Sequence, residues 1–161
     1  AKQTLEKTTV SLDVLVGEAV LRFLPRADAA GVDLGAKGLD HAIRVQGNAA
    51  LIEGILNNLI DNALRYGRAA SGESHITVSV VQTYQQVTLS VTDNGVGVPH
   101  DKLQQISQRG VQGVAGEALK AGMGLGLAIV ATYAKLLGAR MSLTPVQPHG
   151  FCASVVFDQT Q

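Results

Sequence analysis

The chain has 161 residues, of which 46% are hydrophobic, and its 13 basic and 13 acidic side chains give a formal net charge of zero. The length is enough for one domain with its own core, and without a Lys/Arg run a nucleic-acid or anionic-membrane surface is not expected. The lone Cys152 excludes an internal disulfide framework, and we interpret it as a small buried hydrophobe. The sequence shows no signal peptide and starts at Ala1, so we expect a domain excised from a longer cytosolic chain.

The first part of the chain predicts one long helix among short strands. Apolar residues at helical spacing predict a helix over 13–30, which Gly31 ends. Because Pro25 lacks a backbone N–H, we expect a kink or a break there. A glycine-rich turn is predicted at 35–38. Short strands are predicted at 8–12, 32–34 and 42–45.

A second helix is predicted over 51–66, with Asn48 as N-cap and Gly67 at its end. Its apolar stripe consists of Ile52, Leu56, Leu59, Ile60 and Ala63. Its polar stripe consists of Asn58, Asp61, Asn62 and Arg65, at spacings i, i+3, i+4 and i+7. Asparagine is a poor helix former, so this stripe indicates either amide ligands for Mg²⁺ beside phosphates or a polar rim bonded to neighbouring loops.

The second half of the chain predicts four strands and one further helix. Alternating apolar residues predict strands over 76–80 and 87–92, which are close enough to form an antiparallel hairpin. An apolar helix is predicted over 125–137, and strands over 141–146 and 152–157 close the chain. The predicted fold class is α+β, a two-layer sandwich in which helices cover one face of a mixed, mostly antiparallel sheet.

Asp93 ends a predicted strand and begins the turn 93–97, whose sequence is DNGVG. Gly95 and Gly97 suit positive φ angles in such a turn. Either Asp93 makes an ordinary Asx-turn, or its carboxylate accepts a hydrogen bond from an exocyclic amine such as that of adenine. The turn alone leaves both interpretations open.

Three glycines, Gly122, Gly124 and Gly126, precede the last predicted helix. A helix N-terminus with free N–H groups favours a phosphate, and glycines allow the backbone to approach it. The alternative is a tight helix start that requires small residues. The spacing fits neither a dinucleotide fingerprint nor a P-loop.

Together the three segments are far more specific than each one alone. The segments NLIDNALRY at 58–66, DNGVG at 93–97 and GMGLGL at 122–127 resemble the N, G1 and G2 boxes of sensor histidine kinases, in order and in spacing. The resemblance covers about 12–157 and is to the ATP-binding catalytic domain, HATPase_c, of the GHKL superfamily. It implies the Bergerat α/β sandwich, with ATP and Mg²⁺ as cofactors.

The resemblance implies a role for each matching residue. Asn62 would chelate Mg²⁺, with Asn58 supporting the phosphate side, and Asp93 would bind the adenine amine. The residues implied for catalysis are Asn58, Asn62, Arg65 and Arg109. Those implied for nucleotide binding are Tyr66, Asp93, Gly95, Gly97, Lys120, Gly122, Gly124, Leu125 and Gly126.

The resemblance also implies a mobile ATP lid over about 100–121. Its usual phenylalanine is replaced by Ser107, which departs from the family pattern. Arg109 fits the position of a lid arginine that contacts the phosphates. Lys120 would supply a second cation. Both are equally well explained as solvated lid charges.

The resemblance leaves three functions to weigh. A GHKL ATPase carries a glutamate one turn before its Mg²⁺ asparagine, where this chain has Asn58, which cannot take a proton. Neither Glu53 nor Asp61 is expected to point toward the site. This favours a kinase, in which catalysis is mostly positioning and charge neutralisation. A degenerate binding or scaffolding domain is the third possibility, supported only by the altered lid.

The kinase interpretation implies partners outside this chain. The four histidines lie in predicted loops or at strand edges, so we expect the acceptor histidine on an upstream dimerisation domain. Residues 1–11 would be the linker from that domain, and 12–161 the catalytic domain. A response regulator is the expected downstream partner. We expect no nucleic-acid or membrane contact by this domain, which would be the cytoplasmic part of an inner-membrane sensor.

Overall fold

The computed structural model describes residues 6–97 and 126–159. The predicted lid lies outside these residues, as do Arg109, Lys120, Gly122, Gly124 and Leu125. The described elements, in chain order, are β1 (Thr8–Ser11), α1 (Leu12–Ala29), β2 (Val32–Lys37), β3 (Arg44–Gly47), α2 (Ala49–Tyr66), β4 (Ser74–Gln82), β5 (Gln86–Asp93), α3 (Gly126–Leu136), β6 (Arg140–Pro145) and β7 (Phe151–Asp158).

The main sheet has five strands in the order β2-β4-β5-β7-β6. β2 pairs with β4 in parallel, and the other three pairings are antiparallel. β1 and β3 form a separate antiparallel pair. The predicted α+β class and the mixed, mostly antiparallel sheet are therefore confirmed.

The core lies between the helices and one face of this sheet. Along β5 the residues alternate between half-buried and buried, as expected for a strand with one covered face. All five residues of the apolar stripe predicted for α2 are at most 4% exposed. Among the described residues no helix is both long and apolar enough to span a membrane.

Two local predictions are corrected by the structure. α1 continues through Pro25, so the break was wrong: the following Ala27 is fully buried, which keeps the last turn packed against the core. The kink at Pro25 stays a prediction. β2 extends through Gly35 to Lys37, because its whole length pairs with β4. The turn after it begins at Gly38, which has a φ of +84°.

The strand predicted near the start of the chain is confirmed as β1. Its four residues pair with β3, so they contribute to the folded structure. The boundary placed between residues 11 and 12 stays a prediction.

The N-terminus of α2 is capped as predicted, since the Asn48 side chain accepts a hydrogen bond of 3.0 Å from the Leu51 backbone N–H. We expect Asn48→Ala to lower the free energy of unfolding by about 1 kcal/mol, because one helix N–H loses its acceptor. Asn48→Ser keeps an acceptor and is the matched control. Urea unfolding measures both, and equal losses in the two variants would contradict the cap.

Candidate functional site

The polar face of α2 carries a buried amide oxygen, that of Asn62. Asn62 is only 6% exposed, and its Oδ1 has no hydrogen-bond partner within residues 6–97 and 126–159. An unsatisfied buried acceptor costs on the order of 1–3 kcal/mol, which is usually tolerated only for a functional reason. This oxygen fits a hard cation, which matches the metal-ligand role predicted for Asn62.

Asn58 lies one turn earlier and faces the start of α3. Its Nδ2 donates a hydrogen bond of 2.7 Å to the Gly54 carbonyl. A Cβ built on Gly126 would lie 3.5 Å from Asn58 Oδ1. The structure therefore brings Asn58 and Gly126 together, although they are 68 positions apart in the chain.

Arg65 and Tyr66, at the end of α2, are both solvent-accessible. The Nε of Arg65 donates to both carboxylate oxygens of Asp61, at 3.2 and 3.1 Å. The Tyr66 residue is 42% exposed, so a large part of its surface is available for a ligand.

Asp93 lies at the end of β5, in a row between two apolar side chains. The strand register places Ile76 of β4 on one side of it and Phe151 of β7 on the other, and both are at most 4% exposed. Asp93 itself is 5% exposed. Burial raises the pKa of its carboxyl to about 6, although hydrogen bonds from the Gly95 and Phe151 backbones act in the opposite direction.

The two oxygens of Asp93 have different surroundings. Oδ1 accepts a hydrogen bond of 2.8 Å from the Gly95 N–H, so the predicted Asx-turn is present. Oδ2 lies against Gly67, where any Cβ would collide with it. The Asx-turn therefore uses Oδ1. An Asx-turn and a carboxylate that accepts a hydrogen bond from a ligand amine are thus compatible roles for Asp93.

Four glycines allow the backbone to close around Asp93. A Cβ on Gly95 would come within 2.6 Å of the Gly67 carbonyl, and a Cβ on Gly150 would collide with the Asp93 carbonyl. Gly97 has a φ of +80° and packs against Gly150. The sequence predicted Gly95 and Gly97 for this turn because both suit a positive φ, which Gly97 has and Gly95 does not; Gly95 is needed because of its contact with Gly67. It did not predict that Gly67 and Gly150 contact Asp93.

The β6–β7 connection also contacts the turn after Asp93. His149 Nδ1 lies 3.0 Å from the Gly95 carbonyl oxygen, and because that oxygen can only accept, Nδ1 carries the hydrogen. No sequence pattern predicted this contact, because 54 positions separate the two residues.

The site as described combines two kinds of acceptor near the C-terminal half of α2. A buried carboxylate suits an NH₂ group, and an unpaired amide oxygen suits a hard cation. In the described part of the chain, no group of three His, Cys, Asp or Glu side chains could hold a metal ion. A cation bound by Asn62 would therefore take most of its ligands from water or from a bound ligand, as Mg²⁺ commonly does.

Comparison with known proteins identifies the family. A family profile described as histidine kinase-, DNA gyrase B-, and HSP90-like ATPase matches residues 47–161. The chain is 32% identical over 141 residues to the alginate biosynthesis sensor protein KinB of Pseudomonas aeruginosa, covering 88% of this chain and 23% of KinB. It is 31% identical to the sensor protein CutS of Streptomyces coelicolor, covering 95% of this chain and 36% of CutS.

The fold is also that of a solved ATP-binding domain. The structure of the ATP binding domain of PrrB from Mycobacterium tuberculosis aligns with a TM-score of 0.73 at 23% identity, over 98% of this chain and all of that one. The chain belongs to the histidine kinase-, DNA gyrase B- and HSP90-like ATPase family, which confirms the resemblance found in its sequence. It spans between about a quarter and a third of the curated relatives that it matches.

The close packing at Gly67 predicts a large effect of a single methyl group. We expect Gly67→Ala to lower the free energy of unfolding by about 1–3 kcal/mol, because the added Cβ collides with Asp93 Oδ2. Gly35→Ala is the matched control, since a Cβ there meets no atom within 4 Å. Chemical denaturation of both variants measures the difference, and a neutral Gly67→Ala would contradict the packing.

The raised pKa of Asp93 predicts how stability depends on pH. In the folded state the Asp93 carboxyl keeps its proton up to about pH 6. The stability that this proton contributes is present below the unfolded-state pKa near 4 and is lost as pH rises through 6. We therefore expect Asp93→Asn to raise the free energy of unfolding at pH 7.5 by on the order of 2 kcal/mol, because the charge is removed while an oxygen remains for the Gly95 N–H.

This gain should shrink toward pH 4, where Asp93 of the unmodified chain is already protonated. Asp28→Asn, at an exposed position, removes the same charge and is the control. Unfolding curves at pH 4, 5.5 and 7.5 measure the effect, and a gain that does not vary with pH would contradict the assignment to Asp93.

Proposed function

We propose that this chain is the ATP-binding catalytic domain of a two-component sensor histidine kinase. It binds MgATP and donates the γ-phosphoryl group to a histidine on a separate dimerisation domain. Two observations carry the proposal in a domain of this family: a buried carboxylate, Asp93, and a buried amide oxygen, Asn62 Oδ1, that has no hydrogen-bond partner among residues 6–97 and 126–159.

Asp93 accepts the hydrogen bond of the adenine amine. Its Oδ1 is already bonded to the Gly95 N–H, so Oδ2 is the oxygen assigned to the base. A carboxylate without a cation beside it is a strong acceptor for a neutral N–H donor. Gly95 and Gly97 keep side chains away from this position, and Tyr66 packs on the nucleotide.

Asn62 would hold Mg²⁺, which would supply charge neutralisation for the phosphates. Asn58 and Gly126 lie on the phosphate side, where α3 begins close to Asn58. Arg65 contacts the phosphates. Outside the described residues, the same role is proposed for the remaining predicted residues: Arg109, Lys120, Gly122, Gly124 and Leu125.

Phosphoryl transfer is favoured over hydrolysis because the described site holds no free base for an attacking water. Asn58 is an amide, and Glu53 is exposed on α2 nine residues before Asn62. Asp61 forms ion pairs with two arginines, Arg26 and Arg65. An ATPase module and a degenerate scaffolding domain are the alternatives.

The acceptor histidine belongs to another domain. None of the three histidines in the described residues lies on a helix, and His75 and His41 each lie beside carboxylates on the surface. The partners proposed are the upstream dimerisation domain, for which 1–11 would be the linker, and a response regulator. The location proposed is the cytoplasmic side of an inner-membrane sensor.

Calorimetric titration of the chain with ATP, with and without Mg²⁺, tests this function. We expect binding that strengthens with Mg²⁺, a loss of about tenfold or more in affinity for Asp93→Asn, and loss of the Mg²⁺ effect for Asn62→Ala. Asn57→Ala is the matched control, since this asparagine bonds Arg22 on α1 instead of facing the site.

Transfer is then tested by adding a histidine-bearing dimerisation domain and labelled ATP. Label on the histidine supports the kinase, and release of phosphate without labelling supports the ATPase. Absence of ATP binding by the unmodified chain would overturn both and favour the scaffolding domain.

A further inference from the structure

Three charged side chains connect α1 to the polar face of α2. Asp61 on α2 forms an ion pair with Arg26 of the last turn of α1, with 2.6 Å between its Oδ1 and Arg26 Nη1. The same carboxylate accepts the Nε of Arg65, one turn later on α2. Asp61 thus lies between two arginines, of which only Arg65 was predicted to belong to the site.

Stability alone does not explain this network. The side chains of Arg26, Asp61 and Arg65 are 44%, 35% and 61% exposed. Ion pairs with this exposure contribute only about 0–1 kcal/mol to folding, because water and salt screen them. The arrangement therefore calls for another explanation.

The hydrogen bonds leave a defined part of Arg65 available. Both of its bonds in the described residues use Nε, so Nη1 and Nη2 have no partner there. Two parallel N–H groups of a guanidinium match two oxygens of a phosphate. Anchoring Nε on Asp61 fixes the plane of the guanidinium and reduces the entropy that is lost when a phosphate binds.

The charge of the network explains the role of Arg26. Asp61 and Arg65 alone would have no net charge, and the carboxylate would compete with a phosphate for the guanidinium. With Arg26 bound to the same carboxylate, the three side chains carry a net charge of +1. Arg26 therefore balances the negative charge of Asp61, so the positive charge of Arg65 remains available for a phosphate.

We propose that Arg26 and Asp61 are positioning residues that hold Arg65 oriented and charged for the phosphates of the bound nucleotide. This inference rests on the proposed function and adds a residue of α1 to it. Its consequence is specificity for the phosphate chain over the nucleoside, because neither residue acts on the base.

The chain contains a matched control for this contact. Arg22, one turn before Arg26 on α1, donates a hydrogen bond of 2.6 Å to Asn57, one turn before Asp61 on α2. The two contacts have the same spacing on both helices and the same length. They differ in kind, because the first is a hydrogen bond to a neutral amide and the second is an ion pair with a carboxylate shared with Arg65.

Calorimetric titrations with MgATP and with adenosine test the proposal. We expect Arg26→Ala to weaken ATP binding about three- to tenfold and to leave adenosine binding within about twofold, whereas Arg22→Ala leaves both within about twofold. Arg26→Lys keeps the charge and retains most of the affinity. The double variant Arg26→Ala/Asp61→Asn restores the net charge of +1 and recovers much of the loss.

A mutant cycle with Arg65→Ala separates positioning from other effects. We expect Arg26→Ala to cause no further loss of ATP affinity in that background, because Arg26 acts through Arg65. An equal loss in both backgrounds, an equal loss in Arg22→Ala, or no loss in Arg26→Ala would overturn the inference. Thermal unfolding of every variant shows whether the fold is kept.

The same titrations distinguish this inference from the function on which it rests. If the unmodified chain binds ATP and Asp93→Asn abolishes binding, the proposed function stands whatever Arg26→Ala does. If the unmodified chain does not bind ATP, both the proposed function and this inference are wrong.

Discussion

The arrangement of the site depends on one carboxylate, Asp93, which is buried at the end of β5. Asp93 occupies an inner-face position of β5, in a row with Ile76 and Phe151 that would ordinarily take another apolar side chain. Its burial opposes ionisation, so near neutral pH the folded chain carries a charge that its surroundings disfavour. This energetic cost of a buried charge is expected where the side chain serves to bind a ligand and not to stabilise the fold.

The glycines around this carboxylate follow from the same constraint. The end of α2, the turn after β5 and the β6–β7 connection all approach Asp93 closely, and Gly67, Gly95 and Gly150 remove the Cβ atoms that would keep them apart. Three distant segments thus meet at one side chain. The result is closely packed backbone on one side of the site, and α2 contributes its asparagines beside it.

The sequence predicted the architecture and the main site residues because those signals are local. The apolar and polar stripes of α2, the alternation in β5 and the Asn48 cap are all determined by neighbours in the chain. Phe151 and His149 were missed because their roles come from strand register and from contacts across more than 50 positions. The break predicted at Pro25 was wrong because the burial of Ala27 offsets the hydrogen bond that a proline cannot donate.

β1 determines how mechanical load reaches the helix of the site. Its four residues pair in antiparallel register with β3, from Thr8 opposite Gly47 to Ser11 opposite Arg44. Only Asn48 separates β3 from α2, so there is no flexible loop between them that could absorb a displacement. A pull or a twist applied to the backbone at Thr8 therefore loads β3 in shear and passes directly into α2, which carries Asn58 and Asn62.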